Sequence, residues 1–294
     1  MKKENIMDII PQLLVTGIAL GFIYCLIGIE FTIVYQSTHL LNMAHGMIIT
    51  FGAYLFGGTM INGLGLPYWL GIILTVLACG VMGYAISALI FNPLRAKGMI
   101  FSLVACGIFG NILASLYLAI WGSYAFTVPG FLSGVITVGS ARIAKSYTYI
   151  IITAIFLIVV YELFSRKTRL GKSLRCVAQN PNAAALMGIK VSQNINISVA
   201  ISSMICGVVG ILVIPLFGIK TTMATTVALK GWIACVVGGF GYLPGTIVGG
   251  LILGISETFV AMAIPSVFKD VVSFVILIAM LLIRPGGIMR DKVR

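Results

Sequence analysis

Between Glu30 and Arg95 the chain has 64 consecutive residues without a single charge. About a quarter of the residues in a soluble domain are charged, and no water-soluble fold can hide so long an uncharged run. Over the whole chain of 294 residues only 9% are charged, 60% are apolar, and the mean hydropathy is +1.13. These values exclude a secreted disulfide scaffold, a disordered tail, a fibrous repeat and a soluble enzyme. The chain reads as a single all-α, polytopic membrane domain over residues 1–294 whose solvent is the bilayer.

A spanning helix needs about 20 apolar residues. Clean spans cover roughly 9–35, 68–91, 99–121, 147–165 and 194–215. Residues 40–62 are apolar but carry Asn42, His45 and several glycines. Residues 226–262 are interrupted by Gly238-Gly239-Phe240-Gly241 and Pro244-Gly245. Residues 266–283, just after Pro265, are barely long enough. The expectation is about eight or nine crossings, some broken or re-entrant. Lys2 and Lys3 open the chain as a signal peptide would. Glu4 and Asp8 interrupt that pattern, however, and the apolar stretch runs on to Tyr35 without an A-x-A site, so it reads as the first spanning helix.

The net charge of +12 does not point to nucleic acid. Lys and Arg fall in short clusters between apolar spans, the positive-inside pattern. Residues 166–190 hold Arg166, Lys167, Arg169, Lys172, Arg175 and Lys190 and no acid, which places that loop in the cytoplasm. Arg95 with Lys97, and the tail 284–294, agree with it. Residues 122–146 then face outward, although Arg142 and Lys145 dissent mildly. The side of the N-terminus stays open. Six cysteines form no CxxC pair, and five lie in apolar stretches as small packing residues. With His39 and His45 the only histidines, no metal-binding spacing is visible. Glycines spaced by four (Gly17/Gly21, Gly241/Gly245/Gly249, Gly250/Gly254) suit close helix packing in lipid.

Five features bear on chemistry. Leu170-Gly171-Lys172-Ser173 is not a P-loop: the required glycine five positions before Gly171 is Arg166. The polar run from Gln36 to Gly46 includes Asn42 and His45, groups that are costly in hydrocarbon unless paired or facing a cavity. It reads either as a helix break lining a substrate path or as an internally satisfied loop. The run through Gly238, Gly239, Gly241, Pro244 and Gly245 cannot continue a helix smoothly. It is either a transporter-type discontinuity or a tight turn. Glu30 and Glu257 are lone acids in apolar runs, candidates for transport or for structural pairing with a lysine such as Lys220 or Lys230. In the basic loop, Asn180 can cap a short helix, Pro181 fits its first turn and Gly188 its end. Ala184, Leu186 and Met187 give it one apolar face. A helix too small for a core of its own should dock on its own membrane domain, on lipid or, the favoured reading, on a partner.

At these residues a family resemblance emerges. Asn42-Met43-Ala44-His45-Gly46 resembles the N-F-A-H-G motif of branched-chain amino acid ABC importer permeases of the H type, with Met43 in place of an aromatic. Gly171 and the runs from Arg175 to Asn180 and from Leu186 to Ile189 look like that family's cytoplasmic loop. The segment Val237 to Gly245, followed by Gly249 to Glu257, is similar to its glycine-rich region. Lys269 to Phe274 and Arg284 to Ile288 match its C-terminal end. The resemblance implies a permease of the bacterial inner membrane that forms a heterodimer with a homologous permease. Two cytoplasmic ATPases would use the ATP, an extracytoplasmic binding protein would deliver substrate, and the chain itself would bind no cofactor. It makes Asn42, His45, Gly46, Gly238, Gly239 and Gly241 candidates for the substrate path. Arg175, Ala178, Asn180, Pro181, Ala184, Leu186 and Gly188 become candidates for ATPase coupling around 166–192, and Glu257 a structural acid. Residues 122–146 match nothing clearly. The competing class is a stand-alone channel or secondary transporter for a small neutral solute such as urea or an amide; an enzyme of the membrane has no nucleophile–base pair or metal set to support it.

Overall fold

A computed structural model describes residues 6–39, 42, 44–95, 97–138, 141–263 and 268–289. Lys2, Lys3, Glu4, Met43, Pro265 and the end of the basic tail beyond Met289 lie outside them. The fold is helical almost throughout. Helix α1 spans Ile6–Thr38 and α2 spans His45–Ala53, continuing as a π-helical stretch at Tyr54–Ile61. Helix α3 (Tyr68–Ile86) runs through a second π-helical stretch (Ser87–Phe91) into α4 (Asn92–Arg95). Then come α5 (Met99–Trp121), α6 (Lys145–Lys167), α7 (Arg169–Gln179), α8 (Pro181–Leu186), α9 (Val191–Phe217), α10 (Met223–Gly238), α11 (Leu243–Ala263) and α12 (Lys269–Ile283). Among the described residues six helices are long and apolar enough to cross a membrane, while His45–Ile61 and Met223–Gly238 are shorter apolar helices. Helix is what hydrocarbon demands, because each backbone donor and acceptor must be satisfied within the segment. The 122–146 loop contributes a small antiparallel hairpin, β1 (Val135–Val138) with β2 (Ala141–Ala144), in the register Val135 to Ala144.

The chain divides into two compact units. One comprises Glu30–Val128 and Leu157–Ala228, and α9 is its centre. Small residues let its neighbours reach the α9 backbone: a Cβ added to Gly210 would lie 2.2 Å from the Ile49 carbonyl oxygen of α2, and one on Gly83 of α3 would lie 2.5 Å from Ser203 Cβ. Asn92 Nδ2 donates to Asn196 Oδ1 at 2.6 Å and ties α4 to the same helix. Lipid tails are as apolar as leucine, so close packing and hydrogen bonds have to hold these helices together. The outward stripe of α5 is the complement: Ile100, Val104, Ile108, Ile112 and Leu116 recur every four residues and are all exposed.

The other unit comprises Met1–Ile29, Pro129–Phe156 and Leu229–Arg294. Here the four-spaced glycines of α1 and α11 meet. A Cβ on Gly254 would lie 2.3 Å from the Gly21 amide nitrogen, and one on Gly250 would lie 2.8 Å from that of Cys25. The packing role expected of these spacings is the one they have.

Candidate functional site

The first break follows α1. His39 adopts a left-handed backbone (φ 54°), unusual for a residue with a side chain, and the helix ends there. Asn42 Oδ1 accepts the Ala44 N–H at 3.0 Å, and α2 begins at His45. Asn42 and His45 are both buried. Among the described residues, the Nδ2 of Asn42 and the Nε2 of His45 have no hydrogen-bond partner. Gly46 lies close to α10: a Cβ there would stand 3.3 Å from Ala228 Cβ.

The fold adds two groups that residue spacing does not reveal. Glu30 of α1 and Cys206 of α9 are fully buried beside His45. His45 Nδ1 is 3.1 Å from Glu30 Oε1, and Cys206 Sγ lies 3.7 Å from the same nitrogen and hydrogen-bonds the other carboxylate oxygen. The Phe31 ring closes over the imidazole edge-on at 4.3 Å between centroids. Glu30, expected as a lone acid or a partner of lysine, therefore has an imidazole and a thiol instead. The sequence reading saw no metal set; in three dimensions these three side chains form a compact N, O and S donor group.

The second break is a filled turn. Helix α10 stops at Gly238, Gly239 and Gly241 take positive φ (118° and 81°), and α11 starts at Leu243. Two helix ends approach so closely that a Cβ on Gly238 would lie 2.0 Å from the Gly245 carbonyl oxygen. The carbonyls freed at the end of α10 are not left for water. Ile288 N–H donates to the Val237 carbonyl at 3.0 Å and Met289 N–H to that of Gly238 at 3.3 Å, so the chain's C-terminal segment caps the turn. Gly238 and Gly239, two of the three glycines expected along the path, form the floor on which Gly287 packs: its Cβ would fall 2.3 Å from Gly239 Cα.

Glu257 of α11 is also fully buried. Its Oε1 faces Lys230 Nζ at 2.5 Å and Lys269 Nζ at 3.2 Å, and its Oε2 accepts the Tyr24 hydroxyl at 2.8 Å. Lys230 also reaches Asp270 at 2.7 Å. This is the lysine pairing that the sequence left open for Glu257.

In the basic loop, Asn180 Oδ1 accepts the N–H groups of Asn182 and Ala183, both at 3.0 Å, and Pro181 sits in the first turn of α8. Gly188 has φ 80° at the helix end. One expectation needs correction. Ala184 does not lie on an outward docking face; it is 3% exposed, packed with Val177 of α7 and Ile195 of α9. A six-residue helix has one inward side, and Ala184 occupies it. Leu186 and Met187, 90% and 80% exposed, form the outward tip, and Arg175 and Asn180 are exposed beside it while Ala178 and Pro181 are half-buried.

The sequence profile described as "Branched-chain amino acid transport system / permease component" matches residues 13–281. The chain belongs to this permease family. It is 30% identical over 291 residues to the high-affinity branched-chain amino acid transport system permease protein LivH of Escherichia coli strain K12, covering 95% of this chain and 94% of that protein. The corresponding protein BraD of Pseudomonas aeruginosa is 30% identical over the same length, with 95% of each chain covered. A probable LivH of Methanocaldococcus jannaschii is 33% identical over 141 residues, 46% of this chain and 45% of that protein. The permease is thus a multi-pass protein of the bacterial inner membrane and a transport component rather than an enzyme. Sequence reasoning missed Glu30 with Cys206, and the C-terminal cap on the glycine turn. Only the apolar setting of Glu30 signalled the first, and nothing local signalled the second.

Proposed function

We propose that the permease is the membrane subunit of an ATP-driven importer carrying hydrophobic, branched-chain amino acids inward. It pairs with a homologous permease subunit. Two cytoplasmic ATPase subunits bind and hydrolyse the ATP, and an extracytoplasmic binding protein delivers the substrate. The observation that carries this reading is the family match across residues 13–281. The chain contributes a path and a handle. On the path, Asn42 and His45 offer buried polar groups at the break between two apolar helices, enough to pass a zwitterion with an apolar side chain without holding it. The handle is α8: rigidly capped, seated through Ala184 and apolar at Leu186 and Met187. Movement of an ATPase groove around that tip reaches α9 through the Val177–Ala184–Ile195 contact.

Reconstitution tests the reading. Leucine uptake into proteoliposomes should require the second permease, both ATPases, the binding protein and ATP together. Uptake by this chain alone without ATP would make it a stand-alone carrier. ATP hydrolysis by this chain alone, lost in Lys172→Ala, would overturn the assignment of ATP to the partners.

A further inference from the structure

Three helices that are remote in sequence deliver three different metal-ligating atoms to one point: Glu30 from α1, His45 from α2 and Cys206 from α9. All lie within 4.8 Å of one another, and all three side chains are buried. From this we infer that Glu30, His45 and Cys206 form a binding site for a single zinc-class cation.

Geometry fits a shared cation. His45 Nδ1 and Glu30 Oε1 stand 3.1 Å apart, and among the described residues Oε1 has no hydrogen-bond partner. Nitrogen, oxygen and sulfur atoms that converge in this way are the ligands a single cation can share. Zinc bonds to nitrogen and carboxylate oxygen at about 2.0–2.2 Å and to sulfur at about 2.3 Å. An N···O separation of 3.1 Å and an N···S separation of 3.7 Å span those bonds at near-tetrahedral angles. Charge balance points the same way. A divalent ion with a carboxylate, a thiolate and a neutral imidazole is neutral overall, which is what an interior of low dielectric tolerates. On binding, Cys206 gives up its thiol proton to solvent and ligates as the thiolate. Thiolate selects against magnesium and calcium, carboxylate against copper(I), and the mixed set suits zinc. Coordination through Nδ1 leaves His45 Nε2 free of the metal, available to the path proposed above. A fourth position remains for water, as in three-ligand zinc sites. The ion would staple α1, α2 and α9 around the break at Asn42.

The test does not depend on transport, so its failure is distinct from failure of the importer reading. The full chain is purified through a tag without histidines, stripped with chelator, loaded with Zn2+ or Co2+ and desalted. Cys176→Ser is the background, which removes the exposed thiol. The expected result is one zinc per chain by elemental analysis and, with cobalt, a thiolate-to-metal charge-transfer band. Cys206→Ser should lose the band, and Glu30→Gln should retain at least tenfold less metal. No retained zinc and no cobalt band in the background chain would overturn the site. A band that survives Cys206→Ser would do so equally.

Discussion

Glu257 has both carboxylate oxygens occupied, by Lys230 and Lys269 on one and by Tyr24 on the other. A buried carboxylate held in this way is a structural group, and removing its charge leaves Asp270 as the acid paired with Lys230 among the described residues. Breaking a buried pair costs about 3–5 kcal/mol, and Asp270 should keep Glu257→Gln near the lower end of that range. The expected outcome is a lower thermal midpoint with normal uptake per assembled complex; full loss of uptake in an intact complex would give the carboxylate a direct role. The same assay separates path from packing at the first break. Asn42→Ala and His45→Ala remove polar groups of which Asn42 Nδ2 and His45 Nε2 have no hydrogen-bond partner among the described residues. Both should assemble and transport poorly, and normal uptake per complex in both would reduce them to packing residues.

At the scale of elements, α8 divides its roles between two sides. Leu186→Glu places a charge on the exposed tip and should insert and fold normally while losing the ATPases, read by co-purification with the tagged permease. Ala184→Glu buries a charge against Val177 and Ile195, at a cost on the order of several kcal/mol if unpaired. It should unseat the helix itself, seen as faster proteolysis within the 166–190 loop. Gly188→Val forces a β-branched residue to φ 80°, worth roughly 1–2 kcal/mol, and should loosen the same loop. ATPase recovery at wild-type yield with Leu186→Glu would remove α8 as the coupling element. In the glycine turn, Gly238 has no room for a side chain. Gly238→Ala sets a methyl 2.0 Å from the Gly245 carbonyl oxygen, so membrane yield should fall sharply whatever the substrate.

For the whole molecule, polarity is inverted relative to a soluble protein: charged and polar groups such as Glu30, Lys230 and Glu257 lie inside, and α5 turns an aliphatic stripe outward. A charge near the middle of that stripe, as in Ile112→Lys, costs about 2.5–3.5 kcal/mol of insertion, measurable as loss of membrane-integrated chain; Ile112→Leu should insert normally. The inverted pattern also explains what could be read in advance. Length, uncharged runs, helix caps and glycine breaks are local properties. In hydrocarbon the backbone must form helices wherever the run is long enough, so helical class, the breaks at Asn42–His45 and after Gly238, and the Asn180 cap were determined by the sequence. Which faces meet is not local. Between helices in lipid the hydrophobic effect gives little guidance, and close fits of small residues and single hydrogen bonds decide. So it took the tertiary structure to turn Ala184 inward, to give Glu257 its lysines, to lay Ile288 and Met289 over the glycine turn and to bring Cys206 and Glu30, 176 residues apart, beside His45.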